Sequence, residues 1–154
     1  MSAVLKATAP RLVPMGTADL DQVISIENEI YEFPWTRGNF DDSITCGYSC
    51  WLYLDDAGLI GYCVVMLAVD EAHLLNLSIA RNRHGQGHGR ALLEQAMDSM
   101  RGHGAHAMLL EVRPSNAVGR HLYQRAGFTQ VGTRKGYYPA LRGREDALVL
   151  RRAL

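Results

Sequence analysis

One acidic side chain interrupts an apolar run in the second half of the chain. Glu111 follows residues 107–110, which are Ala-Met-Leu-Leu, and precedes Val112 and Arg113. Such a run predicts a short buried strand, so the carboxylate near its end would lose part of its hydration and its pKa would rise. A carboxylate of that kind is suited to general base catalysis. The same pattern also fits a strand-end carboxylate that pairs with Arg113 or another cation, and the residues alone leave both interpretations open.

Three alternating glycines stand between a predicted strand and a predicted helix. They are Gly85, Gly87 and Gly89, and Arg90 follows them directly and could add a charge. At such a junction the first N–H groups of the helix have no intrahelical acceptor, and the helix dipole adds partial positive charge. Glycine also lets a phosphate approach the backbone and adopts positive φ at low cost. The stretch therefore predicts a phosphate-binding loop, and the alternative is a connector that binds no ligand.

The spacing of these glycines excludes two common nucleotide motifs. A dinucleotide fingerprint needs Gly-x-Gly-x-x-Gly and a P-loop needs a lysine after its last glycine, and residues 85–90 supply neither. Nucleotide hydrolysis is therefore not expected. His84 and His88 are four residues apart, but the glycines between them interrupt the helix that such a metal pair would need, so no metal ion is predicted.

The three cysteines, Cys46, Cys50 and Cys63, are few and odd in number. This usage is typical of a reducing compartment rather than of a disulfide framework. The spacing of Cys46 and Cys50 resembles half of a zinc site, but no His or second Cys pair follows at zinc-finger spacing. We expect them to be buried or half-buried thiols.

Charge and hydropathy limit the partners of the protein. The chain has 154 residues, and its 16 basic and 16 acidic side chains cancel, so no overall field attracts it to nucleic acid or anionic lipid. No apolar run approaches the roughly 20 residues of a membrane span, and the N-terminus lacks a signal-peptide pattern. We therefore expect a cytoplasmic protein with no direct nucleic-acid binding and no membrane contact.

The elements that must position these groups follow from the apolar pattern, which continues from Leu12 to Leu150 without a linker or repeat. A single domain over residues 1–154 is therefore predicted. Its fold class is α+β, with helices on both faces of a mixed, mostly antiparallel sheet. The predicted order is helices at 17–31 and 36–44, strands at 51–54, 59–69 and 74–80, a helix that follows Arg90 directly and ends at Gly102, a strand at 107–112, a helix between its N-cap Ser115 and Gly127, and strands at 128–134 and 147–151.

The glycine stretch resembles the pyrophosphate loop of the Gcn5-related N-acetyltransferases (GNAT), whose pattern is Gln/Arg-x-x-Gly-x-Gly/Ala. Aligned on Gly87 and Gly89, the sequence has His84 where that family has Gln or Arg. Further stretches extend the resemblance over nearly the whole chain to the RimI family, the bacterial ribosomal-protein-alanine N-acetyltransferases. These stretches are 33–36 (FPWT), 70–72 (DEA), 110–113 (LEVR), 115–117 (SNA), 122–123 (LY), 126–128 (AGF), 137–139 (YYP) and 143–147 (GREDA).

This resemblance implies a GNAT-like fold and transfer of acetyl from acetyl-CoA to the N-terminal α-amine of an alanine-starting protein of the small ribosomal subunit. The amine would attack the thioester directly in a ternary complex. Glu111 would be the general base, because an α-amine with a pKa of about 7.7 to 8.0 is mostly protonated near pH 7. Tyr123 would be the acid that protonates the CoA thiolate, and its alternative role is an aromatic packed between a helix and the sheet.

The same resemblance assigns residues to acetyl-CoA. The strand Leu77, Ser78 and Ile79 would separate from its neighbour, so that its backbone binds the pantetheine arm and polarises the thioester carbonyl. Asn116 would bond the arm from the other side. The residues of the loop that would bind the pyrophosphate are Gly85, Gln86, Gly87, His88, Gly89 and Arg90.

For the acceptor, we expect a groove between an aromatic loop at residues 33–35 and a polar C-terminal loop. Acidic side chains there could bind the cationic amine or an arginine of the substrate, and simple packing of surface loops is the alternative. Two other functions stay open: acetylation of another amine (a lysine, a different N-terminus or a small molecule such as an aminoglycoside), and a non-catalytic acyl-CoA sensor, which would not need Glu111 with Tyr123. The expected acceptor-binding residues are Trp35, Tyr137, Tyr138, Arg144, Glu145 and Asp146.

Overall fold

The computed structural model describes residues 9–154. The predicted single domain also includes residues 1–8, which lie outside the described part. The strands are β1 (Arg11–Pro14), β2 (Ser49–Asp55), β3 (Gly58–Ala68), β4 (Glu71–Ile79), β5 (Ala107–Val112), β6 (Thr129–Pro139) and β7 (Arg144–Ala153). The helices are α1 (Leu20–Ile30), α2 (Arg37–Thr45), α3 (His88–Gly102) and α4 (Ala117–Arg125), with short 3₁₀ turns at Thr17–Asp19 and Arg81–Arg83.

The seven strands form one sheet in the order β1-β2-β3-β4-β5-β7-β6. All neighbours are antiparallel except β4 and β5, which are parallel and are joined by the crossover helix α3. Side chains alternate between the two faces, so Cys63 and Val65 of β3 contact the core under α3, while Tyr62 and Val64 contact the core under α1 and α2. The α+β class with helices on both faces of a mostly antiparallel sheet is confirmed.

Helix α3 has the apolar spacing that the sequence predicts. Leu92, Leu93, Ala96, Met97 and Met100 are fully buried on one face of it. Burial of a Leu or Met side chain stabilises the fold by roughly 1.5–3 kcal/mol. Gly87 is the N-cap, with φ +80°, a conformation that favours glycine.

A bulge in β4 opens the centre of the sheet. Val64 of β3 pairs with Asn76 and Val65 pairs with Leu74, so Leu75 is an extra residue in β4. An extra residue of this kind bends its strand. Beyond the pair Leu74 and Leu110, β4 and β5 no longer pair, and the end of β4 separates from the end of β5.

Two predicted features of the secondary structure were wrong near the N-terminus and before α4. The sequence pattern predicts no strand before the first helix, yet β1 pairs with β2; its four residues, Arg-Leu-Val-Pro, are too few to show alternation. Ser115 is not the N-cap of α4, because Asn116 Oδ1 accepts the N–H of Gly119 at 2.9 Å. The hydroxyl of Ser115 instead donates to Glu145 at 2.9 Å.

The predicted C-terminal loop was also wrong, because most of it is strand. Tyr137 and Tyr138 lie in β6, and Arg144, Glu145 and Asp146 lie in β7. The two strands pair as far as Pro139 with Arg144, so only a short turn joins them. Pairing across this hairpin supplies backbone hydrogen bonds that the polar composition of the segment does not predict.

Candidate active site

A cleft of about 690 Å³ opens where β4 and β5 separate. Its volume lies in the range of small-ligand sites. Seven of the residues singled out in the sequence line it: Trp35, Leu77, Glu111, Asn116, Tyr123, Tyr138 and Glu145. The separated strands and α4 thus bring together side chains that are far apart in the sequence.

The carboxylate of Glu111 is held by two basic groups. His73 Nε2 of β4 lies 2.5 Å from its Oε2, and Arg134 Nε of β6 lies 3.2 Å from its Oε1. Burial raises the pKa of Glu111, but the hydrogen bond and charge of His73 and the charge and hydrogen bond of Arg134 outweigh it, so the pKa lies below its ordinary value. The expected rise in this pKa was therefore wrong. The cation partners are His73 and Arg134 rather than Arg113.

Arg113 instead forms part of the wall of the cleft. Its guanidinium donates to the carbonyl of Pro139 at 2.8 Å and to Glu145 Oε1 at 3.2 Å, and it lies 4.3 Å from the ring centre of Tyr138. The bonds from Arg113 and Ser115 lower the pKa of Glu145, with those from Ser115 dominant. Arg113 therefore fixes the β6–β7 hairpin against the end of β5.

Tyr123 extends from α4 into the cleft. Its ring packs edge-on against Phe128 at a centroid distance of 5.7 Å, so the packing role exists alongside any chemical one. Among residues 9–154 its hydroxyl has no hydrogen-bond partner. Burial, the largest cause, and the nearby Tyr31, Tyr138 and Cys63 raise the pKa of Tyr123. The hydroxyl therefore stays protonated and can donate a hydrogen bond to a group in the cleft.

A buried glutamate, which the sequence analysis did not single out, lies beneath the cleft. Glu27 of α1 is 2% exposed and accepts hydrogen bonds from three groups. They are the hydroxyl of Tyr62 at 2.6 Å, the backbone N–H of Trp35 at 3.0 Å and the amide of Asn76 at 3.2 Å. A signal exists in the sequence, because Glu27 follows Leu20 and Val23 at helical spacing and so falls on the buried face of α1.

The network continues to the separated strand. Asn76 Oδ1 accepts the hydroxyl of Ser78 at 2.6 Å, and Tyr31 Oη lies 2.7 Å from Ser78 Oγ and 3.3 Å from the carbonyl of Leu77. Burial, the largest cause, raises the pKa of Tyr31 to about 12. The side chain of Ser78 is thus bonded within the protein, and of residues 77–79 only Leu77 lines the cleft.

The glycine loop has the geometry of an anion site. Gly85 and Gly87 have φ of +73° and +80°, and a Cβ built on either would meet no atom of the described residues within 4 Å. The first helical bond of α3 runs from Ala91 N to Gly87 O at 3.2 Å. The N–H groups of residues 87–90 therefore precede the helical bonding pattern, which suits them to an incoming phosphate.

The side chains of this loop have contacts of their own. The guanidinium of Arg90 donates to Glu94 at 2.8 Å and to the carbonyl of Arg125 at 3.3 Å, so it is bonded within α3 and to the end of α4. His84 Nε2 donates to the carbonyl of Ile79 at 2.7 Å and ties the loop to the end of β4. His88 Nε2 lies 3.3 Å from Gln86 Oε1. The loop therefore offers an anion chiefly backbone groups.

Strand alternation divides the expected acceptor-binding residues. Tyr138 and Glu145 line the cleft, whereas their neighbours Tyr137, Arg144 and Asp146 do not. Arg144 donates to the carbonyls of residues 136 and 137 at 2.5 and 2.9 Å, and Asp146 Oδ1 accepts the N–H of residue 136 at 2.8 Å. The side chains of Arg144 and Asp146 thus hold an irregular segment of β6 in place.

The described residues 9–154 contain no group of three or more His, Cys, Asp or Glu side chains that could hold a metal ion. In the same part of the chain, no helix is long and apolar enough to cross a membrane.

Comparison with known proteins defines the class. The acetyltransferase (GNAT) family model matches residues 20–128, and the chain belongs to this family. It is 34% identical over 136 residues to the [ribosomal protein bS18]-alanine N-acetyltransferase of Escherichia coli K12, covering 88% of this chain and 92% of the relative. It is 32% identical over 133 residues to the protein of the same name from Haemophilus influenzae, covering 86% and 90%.

A solved structure agrees with these relatives. The crystal structure of the ribosomal-protein-S18-alanine N-acetyltransferase from Escherichia coli has a TM-score of 0.86 to this fold, with 31% identity and coverage of 94% of both chains. The resemblance to the RimI family is confirmed. The protein is an acetyl-CoA-dependent N-acetyltransferase.

Proposed function

We propose that this protein transfers the acetyl group of acetyl-CoA to the N-terminal α-amine of alanine in ribosomal protein bS18. The observation that carries the proposal is that Glu111 and Tyr123 line one cleft where β4 and β5 separate. The relatives that are 32–34% identical carry this activity in their names. A non-catalytic acyl-CoA sensor would need neither a buried carboxylate nor a buried hydroxyl in the cleft.

Acetyl-CoA would bind along α3 and β4. The pyrophosphate would accept hydrogen bonds from the N–H groups of Gly85, Gln86, Gly87, His88, Gly89 and Arg90, where the dipole of α3 favours negative charge. The pantetheine arm would bond the backbone of Leu77, Ser78 and Ile79, which has no partner in β5. The Nδ2 amide of Asn116, which has no hydrogen bond to another described residue, would donate to the arm from the α4 side.

Glu111 would accept a proton from the α-ammonium group, and the free amine nitrogen would then attack the thioester carbonyl carbon. The lowered pKa leaves the carboxylate ionised at neutral pH, which is the form that can accept this proton, while the cations that lower it also make it a weaker base. The C–S bond then breaks, and Tyr123 donates a hydrogen bond to the departing thiolate. Since burial makes Tyr123 a weaker acid, its main contribution is the hydrogen bond that stabilises the departing thiolate. The attacking nitrogen releases its second proton to solvent as it becomes the amide, the thiolate takes up a proton from solvent to leave as the CoA thiol, and Glu111 returns its proton to solvent.

The acceptor peptide would enter between the 33–35 loop and the β6–β7 hairpin, past Trp35, Tyr138 and Glu145. Tyr137, Arg144 and Asp146 would act on this groove indirectly, because they hold the hairpin in place. Neither a metal ion nor a covalent acyl-enzyme takes part in the proposed reaction, which proceeds in a ternary complex. The protein would act in the cytoplasm, where ribosomal proteins are made.

Mass spectrometry tests this assignment. The probe is an arginine-rich peptide with a free N-terminal alanine and one internal lysine, incubated with the protein and acetyl-CoA. One acetyl group on the α-amine is expected, and a control peptide with a blocked N-terminus should stay unmodified. An acetyl group on the lysine, or none despite measurable acetyl-CoA binding, would contradict the proposed acceptor.

A further inference from the structure

The side chain of His73 contacts Glu111, the proposed base, from the neighbouring strand. It lies in the last paired part of β4, where its partner in β5 is Leu109. Glu111 is two residues beyond Leu109, so its side chain and that of His73 point to the same side of the sheet. This register brings His73 Nε2 to 2.5 Å from Glu111 Oε2.

The two side chains of the pair differ in burial and in position relative to the cleft. The Glu111 side chain is 9% exposed and that of His73 is 26% exposed. Glu111 lines the cleft, whereas His73 does not. Among the described residues His73 Nδ1 has no hydrogen-bond partner, while Nε2 contacts the carboxylate.

The charged groups around the pair are few. Arg134 of β6 contacts Glu111 Oε1, and Tyr138 of β6 lies close enough to Glu111 for its own pKa to be raised. Glu71, two residues before His73 in β4, faces Arg151 of β7 at 3.9 Å. The partner of His73 in β3 is residue 66, a methionine, which does not titrate. His73 is therefore the group in contact with Glu111 whose side-chain type changes charge between pH 5 and 8.

We propose that His73 is a positioning residue for acetyl transfer. As a neutral imidazole it orients Glu111 for the incoming amine, and as an imidazolium it makes Glu111 a poorer proton acceptor. The proposal rests on the role of Glu111 under the proposed function. In the neutral form Nε2–H donates to Oε2 and Arg134 contacts Oε1, so each oxygen of this cleft-lining carboxylate keeps a lone pair for the incoming amine.

The effect of protonation follows from charge. A second cation in contact with the carboxylate stabilises the anion and makes it a poorer proton acceptor. The lowered pKa of Glu111 agrees with this coupling. Turnover should therefore rise as the pH rises through the titration of the imidazole, in addition to any effect of the amine itself.

Two substitutions of His73 distinguish its hydrogen bond to Glu111 from its change of charge. In His73→Gln the amide nitrogen can still donate to Glu111 but cannot titrate, whereas His73→Leu removes the donor. The matched control is His106→Gln, an exposed histidine just before β5. Turnover is measured from pH 5.5 to 9 with saturating acetyl-CoA and whichever acceptor peptide the wild type acetylates, so failure of the bS18 assignment does not prevent the test.

For His73→Leu we expect kcat to be about tenfold below that of the wild type at pH 8, part of the 10²- to 10⁴-fold effect of a general base, with KM for acetyl-CoA unchanged. For His73→Gln we expect kcat close to that of the wild type at pH 8. The ratio of the His73→Gln kcat to the wild-type kcat should rise from pH 8 to pH 6, because the amide cannot become a cation beside Glu111.

Three results would overturn the proposal: a His73→Leu turnover equal to wild type, a His73→Gln loss as large as that of His73→Leu, or an unchanged pH profile in His73→Gln. NMR titration of the imidazole gives a readout that does not depend on activity. The His73 titration should move to lower pH in Glu111→Gln, because the neutral amide no longer favours the imidazolium. An unmoved titration would also contradict the proposal.

Discussion

Replacement of Glu27 tests whether the buried network supports the cleft. Its two oxygens accept from Tyr62, Trp35 and Asn76, and all three partners are donors. Glu27→Gln keeps the size of the side chain but turns one acceptor into an amide donor. With Oε1 still bonded to Tyr62 and Asn76, the N–H of Trp35 would face another N–H.

The expected cost follows from this count. One buried donor without a partner costs about 1–3 kcal/mol, so Glu27→Gln should lower the free energy of unfolding by that amount. Glu27→Ala leaves three donors without an acceptor and should cost roughly 3–9 kcal/mol. Since natural domains have about 5–15 kcal/mol of stability in total, the Ala variant should be close to unfolding.

Urea denaturation followed by tryptophan fluorescence measures these differences. Glu29→Gln is the control, because Glu29 lies on the same helix with its side chain 53% exposed, and its Oε1 lies 4.0 Å from Arg81 Nε. It should change stability by less than about 0.5 kcal/mol. If Glu27→Gln and Glu29→Gln were equally stable, the reasoning that the three bonds to Glu27 hold the wall of the cleft would be refuted.

Three further predictions concern the cleft. Tyr123→Phe should lower kcat by about 10- to 100-fold with little change in Tm, because the hydroxyl has no partner among the described residues; a normal kcat would remove its chemical role. Gly87→Ala and Gly104→Ala place a Cβ at similar positive φ, +80° and +88°, and each should cost about 1–2 kcal/mol of stability. Calorimetry should show weaker acetyl-CoA binding for Gly87→Ala alone, and equal binding by both variants would contradict the loop assignment. Arg134→Gln should raise the pKa of Glu111, since one cation is lost, as followed by ¹³C NMR of the carboxyl carbon; an unchanged pKa would show that Arg134 does not stabilise this anion.

Most of the helices and strands could be predicted from local sequence patterns. The apolar run before Glu111 and the spacing of Leu92, Leu93 and Met97 depend on residues close in sequence, so β5 and α3 were predicted nearly to their ends. The strand β1 was missed because its partner, β2, lies about 40 residues away and supplies the hydrogen bonds that define it.

The site was less accessible to sequence reasoning, because its electrostatics depend on strand register. Nothing in the spacing of His73, Glu111 and Arg134 indicates that three strands bring them together, so the direction of the Glu111 pKa shift was predicted wrongly. Likewise, the bulge at Leu75 that opens the cleft has no signature in residue type. The glycine loop could be predicted, because its backbone needs positive φ and glycine supplies it.

The most direct test of the account follows the acetyl group itself in wild type and in Glu111→Gln. With the alanine-starting peptide that also carries one lysine, mass spectrometry should locate one acetyl group on the α-amine. Glu111→Gln should form this product at least about 100-fold more slowly at neutral pH, with acetyl-CoA affinity nearly unchanged. An acetyl group on the lysine, or a Glu111→Gln rate within a factor of about two of wild type, where the base should supply 10²-fold or more, would contradict the account.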